Sequence, residues 1–171
     1  WGAGALAPVV TGPWPALPDA VPLDTETLLR SGLGGARLLW LGRELDGAVG
    51  GFGARFWARL GEAAPMAIDA VSAAGVSAIT YSDRYLLTPL HMALLREVLS
   101  AAPAGRGATV SIATALSDRS LRRPDAIHDA YPDDSVRRDV LRHLLPAARV
   151  EPFRRKAEVP HHRRLELRLR D

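Results

Sequence analysis

The sequence predicts an α/β domain in which a mixed β-sheet is flanked by helices. Three observations predict it. A strand, a helix and a second strand follow one another between residues 76 and 115, the order of a parallel βαβ unit. A helix and a short strand come next, between residues 134 and 153. The chain then runs into Leu165-Glu166-Leu167-Arg168-Leu169, whose strict alternation marks a half-buried strand.

Residues 1–24 carry Pro8, Pro13, Pro15, Pro18 and Pro22 among Gly and Ala, which forbids a helix and predicts an extended arm or linker. Residues 25–64 form a helical and strand segment packed on the main domain. In it, Asp24 or Thr25 caps a short helix over 26–30, and Arg37-Leu38-Leu39-Trp40-Leu41 predicts a buried strand. Phe52, Phe56, Trp57 and Leu60 recur at helical spacing, so a short amphipathic helix over 54–60 puts its aromatics in the core.

The main domain spans 65–171. A helix over 65–74 opens on Pro65 and stops at Gly75. A strand over 76–81 leads to Asp83 and Tyr85 at its end. Thr88 is a natural N-cap with Pro89 after it, and Leu90, Leu94, Leu95, Val98 and Leu99 give that helix its apolar face. Thr109 to Ala115 is the second strand. Residues 117–134, interrupted by Pro124 and Pro132, predict a surface loop. Asp134 or Ser135 caps a helix bearing Val136, Val140, Leu141, Leu144 and Leu145. Residues 149–153 form a short strand, with Pro152 suited to an edge.

Composition bounds the function. With 47% apolar and 24% charged residues over 171 positions, the chain is globular and large enough for one core. Absence of cysteine excludes disulfides, a thiolate zinc site and a thiol nucleophile. No apolar run reaches the roughly 20 residues of a membrane span, and no basic, then apolar leader opens the chain, so the expected compartment is the cytoplasm. The opening Trp1 and the stop just after a strand suggest a module cut from a larger polypeptide.

Charge is unevenly distributed. Residues 137–171 hold 11 Lys and Arg against 5 Asp and Glu, whereas the preceding 136 residues hold 11 against 14. Lys156 is the single lysine, so the basic third is built from Arg, which suits bidentate phosphate contacts. Arg154-Arg155-Lys156, together with Arg149 and Arg164, could track a phosphate backbone.

Parity sharpens the last strand. Leu165, Leu167 and Leu169 define the buried face, so His161 and Arg163 point the same way at the strand's entry, where the core opens. A guanidinium there needs a counter-charge or an anion. Asp83 could supply the first and close a structural ion pair; a bound phosphate would be the second. Asp83, Tyr85, Thr88 and His91 lie where a parallel strand ends and a helix begins, the customary place for an anionic ligand.

Other chemistries fail on pattern. Gly47, Gly50, Gly51 and Gly53 lack the Gly-Lys-Ser/Thr ending of a P-loop, and no Walker motif is present. His128, His143, His161 and His162 lack zinc-site spacing, and Asp125, Asp129, Asp133 and Asp134 lack the Gly and Glu of a calcium loop, so no metal or other cofactor is expected.

Asp83-Arg84-Tyr85-Leu86 followed by His91 on a leucine-rich helix, with His161-x-Arg163 opening an alternating strand, resembles the phospholipase D-like domains found after MIT domains. Related domains sit at the C-termini of bacterial DEAD/DEAH-type helicases linked to phage defence. The resemblance covers roughly residues 65–171 and implies a phospholipase D-like fold. In that family a His-x-Lys motif, present twice with a downstream Asp, supplies the nucleophile and the phosphate-holding amine. Here Arg163 stands in place of the Lys and the motif occurs once. The resemblance therefore implies a non-catalytic module that binds phosphate, with DNA or RNA as the leading partner and an anionic lipid surface as another. A phosphodiesterase with His161 as nucleophile, and a protein–protein scaffold docked on the parent polypeptide, are the alternatives.

Overall fold

The computed structural model describes residues 5–9, 37–41, 45, 47–103, 107–117, 131, 133–159 and 163–171. Several sequence-based expectations fall outside them: the helix over 26–30, most of the 117–134 loop, His128, His161 and His162. Two strands, β1 (Ala5–Val9) and β2 (Arg37–Leu41), pair antiparallel with Ala5 opposite Leu41. β2 lies where the sequence predicts a strand. β1 lies inside the segment read as an extended arm. Pro8 discourages a strand reading, yet a two-stranded ribbon consists only of edges, where a missing N–H is tolerated.

Helix α1 (Phe52–Ala63) is longer than expected and buries Phe52, Phe56 and Trp57, with the Trp57 indole donating to the Val98 carbonyl at 2.8 Å. Helix α2 (Pro65–Ala74) ends at Gly75, whose φ of 74° lies in the region a side chain would strain. Strand β3 (Val76–Asp83), helix α3 (Pro89–Ser100) and strand β4 (Thr109–Thr114) form the predicted βαβ unit, with Tyr81 opposite Ile112 in a parallel pair. Thr88 caps α3, its Oγ1 accepting from His91 N at 3.2 Å. On α3 the buried residues are Met92, Leu95 and Val98, whereas Leu90, expected in the core, is 49% exposed.

Helix α4 (Asp134–Leu144) is capped one residue earlier than expected: the Asp133 carboxylate accepts from Ser135 N at 2.6 Å. Leu141 of this helix is buried, whereas Val136, also expected in the core, is 46% exposed and Arg137 is buried instead. Strand β5 (Ala148–Val150) is shorter than predicted but takes the expected edge position, and a 3₁₀ turn covers Lys156–Glu158. Strand β6 (Arg164–Leu169) pairs antiparallel with β3, giving a four-stranded mixed sheet in the order β5-β4-β3-β6. Tyr81 faces Leu165 and Ile79 faces Leu167, so the three leucines share the buried side of the sheet with Ile79, Tyr81 and Ile112. Helices α1, α3 and α4 supply the opposing apolar wall.

At Gly53 the approach of α1 to α3 is so close that a Cβ would sit 1.9 Å from the Glu97 carbonyl oxygen. Only glycine fits that crossing.

Candidate functional site

Because β3 and β4 are parallel and β6 runs the other way, the carboxyl ends of β3 and β4 and the entry to β6 meet at one rim. Asp83 is the last residue of β3 and is 2% exposed. Its carboxylate collects three donors. Tyr85 N reaches Oδ1 at 2.7 Å, and the Tyr81 hydroxyl and Arg163 Nε reach Oδ2 at 3.0 and 3.2 Å. The Asp83 backbone is tied as well, its carbonyl accepting from the buried Thr114 hydroxyl at 2.7 Å. A carboxylate held this firmly sets the position of the guanidinium that meets it.

The side chain of Arg163 is 32% exposed, so the pair is closed towards the core and open towards solvent. Arg163 therefore has the Asp83 counter-charge that the sequence allowed for, and its side chain keeps an exposed side. Tyr81 takes the place expected of Tyr85. Tyr81 shares the parity of Asp83 on β3 and reaches its carboxylate, whereas Tyr85 lies past the strand end and offers its backbone N–H instead. Burial, and next the neighbouring Asp83 charge, push the Tyr81 phenol well above its ordinary value of 10.0, so it remains a donor throughout the physiological range.

A small cleft, open to solvent, starts at this cluster. Tyr81, Asp83, His91 and Arg163 form its polar end, and Phe52, Phe56, Leu94 and Val98 form its apolar wall. His91 sits in the first turn of α3, with Nδ1 3.4 Å from the Tyr85 carbonyl oxygen. His91, at the start of α3, thus lines the same cleft as Arg163. His161, the candidate nucleophile, lies outside the described residues. Arg164 also borders the cleft and pairs with Glu166, so it is not simply turned to solvent as its parity suggests.

The basic segment reaches the same rim by a route no sequence pattern shows. After β5 the chain crosses the carboxyl edge of the sheet: Arg154 bridges to Ala115 beyond β4, and the Val159 carbonyl accepts from Arg84 at 3.1 and 2.6 Å beyond β3. The segment then enters β6 through Arg163. Arg154 and Arg155 are exposed along it, with Arg154 paired to Glu151 at 2.7 Å, and Lys156 is half-buried. Arg149 stands apart on β5, at the far edge of the sheet.

One cation went unnoticed in the sequence. Arg137 is fully buried, with Nη2 donating to the Ala115 carbonyl, Asp134 at 3.0 Å and the guanidinium 4.2 Å from the Phe153 ring centroid. Burial lowers its proton affinity and Asp134 offsets part of that. Its place within an apolar-looking helix period gave no signal. Among the described residues no group of three His, Asp or Glu side chains gathers in metal-binding proximity, and no helix is long and apolar enough to cross a membrane.

Residues 35–171 match a family model described as the C-terminal domain of the DEAD/DEAH box helicase YjiV. No curated protein and no solved structure matches the chain.

Proposed function

The chain belongs to the family of C-terminal domains of the DEAD/DEAH box helicase YjiV, and on that premise we propose that it is a non-catalytic phosphate-binding module whose partner is nucleic acid. The observation that carries this reading is the rim cluster: Arg163 is anchored on the buried Asp83 yet 32% exposed, beside the first turn of a helix. Asp83 holds Nε, and the two terminal amino groups form the fork offered to a phosphate. The dipole of α3, whose first turn carries His91 beside the cleft, adds to the positive potential there. Arg154, Arg155 and Lys156, strung along the same rim, extend the contact to neighbouring phosphates. The non-catalytic reading rests on the single His-x-Arg where a phospholipase D would carry two His-x-Lys motifs. A phospholipase D-like ancestry, a place in a cytoplasmic phage-defence helicase and DNA as the partner belong to the same proposal.

The test is fluorescence anisotropy of a labelled duplex titrated with this chain across a series of salt concentrations. A steep fall of affinity with salt supports the reading, because each phosphate contact contributes a slope of about −0.9 in log K against log salt. Arg163→Lys, which keeps a charge beside Asp83 but loses the fork, should weaken binding about tenfold. Binding that is absent, or indifferent to salt and to Arg163→Lys, would overturn it.

A further inference from the structure

The helices of this domain pack on one side of the sheet. Every buried strand residue among those described belongs to that side: Val76, Ile79, Tyr81 and Asp83 on β3, Ile112 and Thr114 on β4. The other side carries Ala78, Thr80 and Ser82 on β3 and Ser111 and Ala113 on β4, all only partly buried. Parallel strands are ordinarily covered on both faces. Among the described residues no helix packs on this face, which is a partly buried floor of small residues and hydroxyls. Register puts arginines at its two margins: Arg149 pairs with Ser111 on the β5 side, and Arg164 and Arg168 pair with Ser82 and Ala78 on the β6 side. Arg149 and Arg168 are exposed, and neither has an ion-pair partner among the described residues. On the described strand residues of this face the carboxylate is Glu166, and Arg164 pairs with it.

Resting on the reading of the rim as a phosphate site, we propose that this sheet face is a second contact surface, and that it binds the sugar–phosphate backbone of a duplex. Two features select that occupant. Arginines three strands apart, about 14 Å at the usual strand spacing, flank a floor of hydroxyls, the donor set that backbone phosphates take. Second, among the described residues no outward strand position on this face carries an aromatic residue, and single-strand binders hold their bases by stacking on aromatics. The described residues of the face offer groups for phosphates and none for unpaired bases. Arg164 borders the rim cleft as well as this face, which joins the two contacts into one path around β6.

The double variant Arg149→Glu with Arg168→Glu, made in this chain, tests the proposal against a 20-base-pair duplex and one of its strands alone. Both side chains are exposed, so thermal unfolding should stay close to that of the unmodified chain. Duplex affinity should fall at least tenfold and the salt slope should flatten by about 2, two phosphate contacts having been removed. Glu166→Gln should tighten binding two- to threefold, an outcome that damage to the fold cannot imitate. Inorganic phosphate should still shift the Arg163 resonance in the double variant. Duplex affinity unchanged by the double variant, with salt-dependent binding intact, would overturn the second surface and leave the rim reading standing. Tighter binding of the single strand than of the duplex would do the same. No binding of either nucleic acid by the unmodified chain would remove both readings. Cross-linking of this face to protein in the intact parent helicase, with duplex binding insensitive to the charge reversal, would assign it to a protein partner and overturn the proposal.

Discussion

Asp83→Asn is the most informative single substitution, because its cost reports whether the Asp83–Arg163 pair is sealed or open. Asparagine keeps an oxygen for Tyr85 N, now at 2.7 Å from Oδ1. Its amide nitrogen replaces Oδ2, and the Tyr81 hydroxyl, now a donor at 3.0 Å, can rotate to accept from it. Arg163 Nε, 3.2 Å away, loses its acceptor and faces an N–H instead. The loss is therefore one charge-assisted hydrogen bond, worth roughly 1.5–3 kcal/mol when fully desolvated. With its side chain 32% exposed, Arg163 rehydrates and recovers part of that. The net destabilisation should be about 1–2 kcal/mol, or a fall in melting temperature of roughly 2–8 °C for a chain of this length. Urea titration followed by circular dichroism measures it, with an unchanged m-value as the sign that the folded state is intact. A loss above about 4 kcal/mol is what stripping one partner from a fully buried pair produces, and would refute the open geometry. No loss at all would refute the contact.

Tyr81→Phe removes a donor to a buried carboxylate and should cost about 1 kcal/mol at neutral pH. It should also change the alkaline limb. The unfolded phenol ionises near 10.0, whereas the folded one stays protonated well above that, so the unmodified chain binds more protons folded than unfolded and loses stability as pH rises past 10. The variant lacks that contribution, and its urea midpoint should fall less between about pH 9 and about pH 11. Gly53→Ala forces a methyl group to within 1.9 Å of the Glu97 carbonyl oxygen, so α1 and α3 must separate. About 3 kcal/mol of lost stability is expected, at the upper end for overpacking, and denaturant unfolding will show it.

Local periodicity made much of this fold legible. The alternation of Leu165, Leu167 and Leu169 identified both a strand and its buried face, and Thr88-Pro89 and Gly75 marked helix ends, because each signal is satisfied within one or two turns of chain. From parity alone followed the prediction that Arg163 opens onto the core side near Asp83. What failed depended on tertiary partners. Strand β1 was hidden by Pro8, which an edge tolerates. Tyr85 was preferred to Tyr81 because a residue past the strand end looks nearest a rim site, whereas Tyr81, two residues before Asp83 on the same face of β3, is the one whose hydroxyl reaches the carboxylate. Arg137 is buried only because the Ala115 carbonyl, Asp134 and the Phe153 ring converge on it from three segments. The second sheet face was invisible without the register, since Arg149 and Arg168 stand at opposite margins of one sheet on strands distant in sequence.

The most direct measurement is nuclear magnetic resonance of the Arg163 side-chain Nε–H during titration with inorganic phosphate. Saturable movement of that resonance and of the His91 ring signals, reversed by added chloride and missing in Arg163→Lys, is the predicted result. Signals that stay still while phosphate rises, or that move equally at exposed arginines remote from the rim such as Arg142, would contradict a phosphate site at the end of β3.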